Sequence, residues 1–334
     1  MLKYTLIFII AALSAVLCQQ DQKTLIEEEK IFNAWLKRHG IDVPADADFN
    51  KWKANVIAKF REHEKHNEKY RKGEELFMRG INHLSHLSNE ELKATVLGFS
   101  APTADDTLPV VSKDALKDLP DYFNWHDKGI VQPPQDQKQC GSCYIFSTIG
   151  AIEAHSCYYN HQCEKLSEQE ALECSDGRGC NGGWSQLIYK YTQSKNGATA
   201  LKNYGYQAKV VNKCEDAGSR PRVNGTTVVG WKTLPKHADT IKFYLYSNGP
   251  MFVGFDVYQN FVDYKSGIYH NISGDKLGGH AVLLIGYGTE NGVDYWILKN
   301  SWTTNWGESG FFRFKRGVDL CGIESGGPTY PIMS

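Results

Sequence analysis

Apolar positions change their period twice along this chain. Between residues 24 and about 97 they recur at three-to-four spacing: Ile26, Ile31, Phe32 and Trp35 in one run, then Trp52, Val56, Phe60 and His63 in another. That period predicts helices, each with one apolar face. Ser88-Asn-Glu-Glu91 reads as a capping box that opens a short helix through Leu92 and Val96. The stretch Ser100 to Pro109 is rich in small residues and proline and predicts an accessible linker with no core residues. From Cys143, the positions Phe146, Ile149, Ile152 and Glu153 predict an amphipathic helix, and Ser167-Glu-Gln-Glu170 is a second capping box. Beyond Gly230 the pattern becomes strand-like: Met251 to Val257, His280 to Tyr287, Tyr295 to Lys299 and Gly310 to Phe314. Asn291-Gly292, between two of these runs, is a strong hairpin signal. The chain therefore predicts a helical front segment, a helical half and a β-rich half, an α+β organisation without internal repeats.

The first residues follow neither period. Lys3 precedes an apolar run from Leu6 to Leu17 that ends at Gln19, Gln20 and Asp21. Such a run is too short to span a bilayer and suits a signal peptide over residues 1–18, cleaved near Cys18–Gln19. A retained anchor is the alternative. No other segment approaches transmembrane length, so the mature protein is expected to be soluble.

Charge removes some function classes. Lys+Arg total 37 and Asp+Glu 38 in 334 residues, so no excess attracts nucleic acid or an anionic membrane. Eight of the nine cysteines lie between Cys140 and Cys321, the usage of an oxidising compartment. The sequons at Asn224 and Asn271 fit the same route.

Gln137-Lys-Gln-Cys140-Gly-Ser-Cys143 carries the most chemical information. Cys140 and Cys143 could be half of a metal site or a redox pair. A structural zinc site, however, needs four ligands at recognisable spacing, and no matching pair follows. A Cys opening a helix lies at the positive end of the macrodipole, which favours the thiolate. A thiolate nucleophile needs an imidazole beside it and a third group to hold that ring. His280 heads the apolar strand Ala281 to Ile285 after two glycines, and Asn300 ends the next strand of the same hairpin. Taken singly, a strand-end His and a turn Asn are ordinary structural residues. Together with Cys143 on a facing helix they are far more specific.

These motifs, with Cys180-Asn-Gly-Gly183, Gly279-His280-Ala281 and Asn300-Ser-Trp302-x₃-Trp306-Gly307, occur in an order and spacing that resembles the papain family of cysteine proteases, in a cathepsin-L-like precursor layout, from about Leu119 to Ser334. The resemblance implies a two-lobed fold, with a helical left domain and a barrel-like right domain around a cleft. The expected units are a signal peptide at 1–18, a propeptide at 19–118 with an inhibitory helical part at about 24–97, and a peptidase domain at 119–334. Carried over, Cys143 is the nucleophile, His280 the base and later acid, Asn300 its orienter, and Gln137 an oxyanion donor beside the Cys143 backbone N–H. Trp302 would shield the Asn–His bond, and Trp306 would line the primed side. Gly182, Gly183, Trp184, Ser185, Gly254, Ala281 and Gly326 would bind substrate.

The family also implies disulfides Cys140–Cys180 and Cys174–Cys214. Cys157–Cys163 is the sequence-local pair, which leaves Cys321 unpaired. The implied partners are protein or peptide substrates, the propeptide as intramolecular inhibitor and cystatin-type inhibitors. A monomer is implied, with no metal and no cofactor. No spare stretch between Cys180 and His280 could form a cathepsin-B-like occluding loop, so an endopeptidase is expected. The rival reading is a catalytically inactive homologue that only binds.

Some positions depart from the family pattern. Tyr144 stands where most relatives have Trp. Gly254 and Gly326 leave the main specificity pocket open and without an acid, which predicts bulky apolar residues at P2, two positions before the cut. In the propeptide, Trp52, Val56, Lys59 and His63 occupy the places of the long-helix signature. Leu84 and His86 replace the usual Phe and Asp. A His titrates near pH 6.5 where an Asp would titrate near 3.9, so a shifted activation threshold is expected.

Overall fold

The computed structural model describes residues 23–100, 107–176, 178–211, 214 and 217–334. The expected signal peptide and most of the linker lie outside the described residues. A first helix, α1 (23–39), and a long second one, α2 (Phe49–Arg71), pair through a small core of Phe32, Trp35 and Val56. Strand β1 (Phe77–Arg79) and helix α3 (Asn89–Thr95) complete the front segment. At α3 the capping box is complete: the Ser88 hydroxyl accepts from Glu91 N–H, and the Glu91 carboxylate accepts from Ser88 N–H.

The main body begins with the short strand β2 (Phe123–Asn124) and the helix α4 (Cys143–Asn160). Here the structure differs from the amphipathic helix read from sequence, because every residue from Cys143 through Cys157 is buried. The reason is position: α4 lies between a helical cluster and the sheet, so it has no solvent face until its last turn, where Tyr158 and Tyr159 are exposed. Helices α5 (Glu168–Cys174) and α6 (Ser185–Ser194) pack with it. At α5 only half of the expected box forms. Ser167 accepts from Glu170 N–H, but the Glu170 carboxylate turns away to accept two bonds from Arg222, at 2.9 and 2.7 Å.

The β-rich part contains β3 (Val228–Thr233), helix α7 (Ala238–Asn248), β4 (Met251–Tyr258), β5 (Tyr264–Tyr269), β6 (Lys276–Glu290), β7 (Val293–Lys299), β8 (Phe311–Lys315) and β9 (Thr329–Met333). The strand order is β1-β5-β8-β7-β6-β4-β9-β3, with β2 on β6. Asn291 and Gly292 both take positive φ, 51° and 76°, as a two-residue hairpin turn with matching twist requires. The front segment is built into this sheet, since β1 pairs antiparallel with β5.

The linker does not lack core residues as its composition suggested. Leu108 packs against the main core, because its backbone N–H donates to Thr233 O (2.8 Å) and carries the side chain inward at the β3 edge. Disulfides join Cys140–Cys180, Cys157–Cys163 and Cys174–Cys214; among the described residues Cys143 and Cys321 are free. Asn224 and Asn271 are both exposed. No helix among the described residues is long and apolar enough to cross a membrane.

Candidate active site

Cys143 is the first residue of α4, with Ser142 as N-cap. Its sulfur therefore starts where the unpaired N–H groups of a helix gather. That sulfur lies against the backbone amides of Ala281 and Gly98, and against those of Tyr144 and its own residue. Ala281 follows His280 in β6, while Gly98 belongs to the front segment. Three distant parts of the chain thus meet at one atom.

The geometry around His280 fixes its tautomer. Nε2 is 2.8 Å from Asn300 Oδ1, and the same oxygen accepts the Ser301 backbone N–H at 2.8 Å. A backbone N–H can only donate, so that atom must be the amide oxygen and Nε2 must carry the ring proton. Nδ1 is left with its lone pair free, buried and, among the described residues, without a hydrogen-bond partner. Trp302 stacks on the imidazole with ring centres 4.5 Å apart, laying an apolar plate over it.

Gln137 is fully buried, and its orientation is equally determined. Nε2 faces two carbonyl oxygens, Val96 O and Cys140 O, both at 2.8 Å, while Oε1 accepts from the Ser301 hydroxyl at 2.6 Å. Ser301, which sequence reasoning missed, therefore touches both the His280 orienter and the amide of Gln137. The helix-initial thiol against Gly98 and the preset amide donor on Val96 O meet one crossing chain segment, and the ring with the free lone pair immediately precedes the Ala281 amide that touches the thiol.

Residues 119–331 match the model of the papain family cysteine protease. This chain belongs to the papain family. The protease is 32% identical to fruit bromelain of Ananas comosus over 312 residues, 91% of this chain and 86% of that one. It is 34% identical to digestive cysteine proteinase 1 of Homarus americanus over 291 residues, covering 83% and 87%. The structure of digestive procathepsin L2 proteinase from Tenebrio molitor larval midgut superposes with a TM-score of 0.80 at 29% identity, covering 91% of this chain and 99% of that one. The protease is thus a papain-like cysteine peptidase of two-domain α+β fold, described together with its own intramolecular propeptide.

In this proform the propeptide occupies the cleft. Gly98 and Phe99 N–H both donate to Gly279 O, at 3.1 and 3.0 Å, and Gly183 exchanges bonds with Gly98 O and Ser100 N. The glycines at 182, 183 and 279 make this approach possible. Side chains at 182 and 279 would strike the propeptide backbone, and one at 183 would strike the Tyr144 ring. Tyr144, the departure noted in the sequence, donates its hydroxyl to Gly179 O at 3.1 Å. The ring of Phe99, also missed from the sequence, lies on Gly254 and tilts against Phe252 with ring centres 5.8 Å apart.

Other expected subsite residues have different neighbours. Gly326 sits against the Gly254 backbone, so close approach of two chains requires glycine there. Ser185 joins α6 to Thr329 (Oγ to Oγ1, 2.8 Å), and Trp184 stacks with Arg178. Trp306 is fully buried in the proform, edge-on to Trp302, with its N–H on Val262 O at 2.9 Å.

Burial reverses the charge state expected from the helix end. Desolvation pushes the Cys143 thiol up to about 11, against the pull of the surrounding amides, and takes His280 down to about 4 although Asn300 favours its protonation. At neutral pH the covered pair is therefore thiol and neutral imidazole.

Proposed function

We propose that this chain is the zymogen of a secreted or lysosomal cysteine endopeptidase with a preference for bulky hydrophobic residues at P2. The observation that carries the reading is the chain's own segment Val96–Phe99 lying across the nucleophile. Its Val96 carbonyl is on Gln137 Nε2, and its Phe99 ring is on Gly254. A groove that holds one extended peptide this way is suited to hold another.

Once the propeptide leaves, water and the helix end favour transfer of the thiol proton to His280 Nδ1, giving the thiolate–imidazolium pair. The Cys143 sulfur then bonds to the scissile carbonyl carbon. The resulting oxyanion accepts from Gln137 Nε2–H and the Cys143 backbone N–H. The C–N bond breaks, and the leaving amine takes the proton held by His280. Water, deprotonated by His280, cleaves the thioester and restores the thiol. Asn300 keeps Nε2–H occupied, so that Nδ1 performs both transfers. The signal peptide, both glycans, cystatin-type inhibitors and a monomeric state belong to the same reading.

The test is to acidify the purified proform with reductant, following its mass and its hydrolysis of a fluorogenic dipeptide with and without an epoxide thiol trap. Loss of the propeptide mass with trap-sensitive hydrolysis is expected. A processed chain without hydrolysis and without an adduct at Cys143 would favour the inactive binding homologue.

A further inference from the structure

Both oxyanion donors belong to one short loop, with the Gln137 side chain at its start and the Cys143 backbone N–H at its end. The loop turns through Lys138 at φ 54° and Ser142 N–H on Cys140 O at 2.7 Å, a conformation with little regular structure to hold it. One hydroxyl joins its two ends. Tyr206 Oη donates to Gln137 O at 2.9 Å and lies 2.6 Å from Ser142 Oγ. The phenol has one hydrogen, which goes to the carbonyl, so the Ser142 hydroxyl donates to the phenol oxygen.

Tyr206 is itself held from outside the loop. Its ring meets Phe146, one helical turn beyond the nucleophile, edge-on with centres 4.9 Å apart. The residue after it, Gln207, donates its N–H to Gln169 Oε1 at 2.8 Å, and Gln169 Nε2 donates to Lys209 O at 2.7 Å. Gln169 is fully buried in α5, so the strap carrying Tyr206 is anchored to the helical lobe. Burial raises the Tyr206 phenol above its usual range, so it remains a donor at any working pH.

We propose that Tyr206 is a positioning residue for oxyanion stabilisation, fixing the spacing of the Gln137 and Cys143 donors through its bonds to Gln137 O and Ser142 Oγ. The inference rests on the peptidase reading above. Donor geometry matters steeply, since a misplacement of about 1 Å can cost up to roughly 100-fold in rate. Losing a brace, with both donors still present, is set lower, at about tenfold.

The experiment compares processed wild type with Tyr206→Phe, which keeps the ring on Phe146 and removes only the hydroxyl. The expected result is a kcat about tenfold lower at unchanged KM, with a matching loss of affinity for a peptide aldehyde, whose adduct carries an oxyanion. The rate of alkylation by an epoxide, which forms no such oxyanion, stays unchanged. Equal losses for aldehyde and epoxide, or no loss of aldehyde affinity, would overturn the proposal. If Tyr206→Phe does not mature, Ser142→Ala removes the second bond, together with the longer 3.4 Å contact of that hydroxyl to Cys140 O, and is read by the same pair of inhibitors, with the same split expected and equal losses again overturning it. A wild type that neither hydrolyses nor is alkylated would instead overturn the peptidase reading.

Discussion

The ring of Phe99 stands where a side chain on Gly254 would have to go. One residue is in the propeptide and the other in β4, and the absence of a Cβ on the second makes room for the first. Under the proposed function this pairs inhibition with specificity: the pocket that seats Phe99 in the proform would be the one offered to substrate afterwards.

Gly254→Leu should therefore close the pocket. We expect kcat/KM for peptides with Phe at P2 to fall at least about tenfold relative to peptides with a small residue there, measured on a matched fluorogenic series. Phe99→Ala, which removes the plug, should make the proform process faster at a given pH. A panel in which arginine at P2 outperforms phenylalanine and leucine would overturn the pocket reading.

Cys143 should change reactivity on processing. In the proform its thiol is pushed up to about 11, so iodoacetamide at pH 7 should label it slowly, with a rate rising steeply into alkaline pH. After processing, labelling should be fast at neutral pH and persist into mild acid. Labelling profiles that match before and after processing would contradict the coupling of burial to charge state.

His83 and His86 give the propeptide a pH-dependent weakness. His86 is buried between Trp52 and Trp35, with ring centres 4.0 and 5.6 Å away. It does not titrate near 6.5 in place. Burial, then Lys59, lower it to about 4 against the opposing pull of Glu91. Burial, then His39 and His86, lower His83 to about 4 as well. A base whose folded pKa lies below its unfolded value contributes stability that is complete above about 6.5 and is lost as pH falls toward about 4. His86→Phe keeps the aromatic contact and removes the titration, so the onset of processing should move to lower pH by roughly half a unit. Superimposable profiles across pH 4–7 would remove His86 from the trigger.

Asp263 links the two halves of the zymogen. Its carboxylate lies 3.1 Å from His63 Nε2 and 3.3 Å from Arg79 Nη2, with all three side chains buried. Burial would raise its pKa, but His63, Lys59 and Arg79 together hold it below the usual carboxylate value. Asp263→Asn leaves Arg79 with only Glu62 as ion partner among the described residues and should destabilise the proform by about 3 kcal/mol. Thermal unfolding should show this in the proform and much less in the processed enzyme, which no longer buries the site.

Local pattern made much of the molecule legible. The helix beginning at Cys143, the strands carrying His280 and Asn300 and the Asn291-Gly292 turn all follow from period, helix position and turn chemistry. The candidates Cys143, His280 and Asn300 follow from helix start, strand head and hairpin position, and Gln137 from the family resemblance. β5 and β9 were not foreseen, and the reason is physical. Both are short strands whose place depends on partners far along the chain, β8 and β4 among them. Only tertiary structure decided that α4 is buried all round from Cys143 to Cys157, that Ser301 orients two site residues at once, and that Phe99 and the Val96 carbonyl fill the cleft. Sequence sets which chemical groups exist and their local conformations, but burial and long-range contact set their charge states. That is why a helix-initial cysteine that reads as a thiolate is a neutral thiol beneath its propeptide.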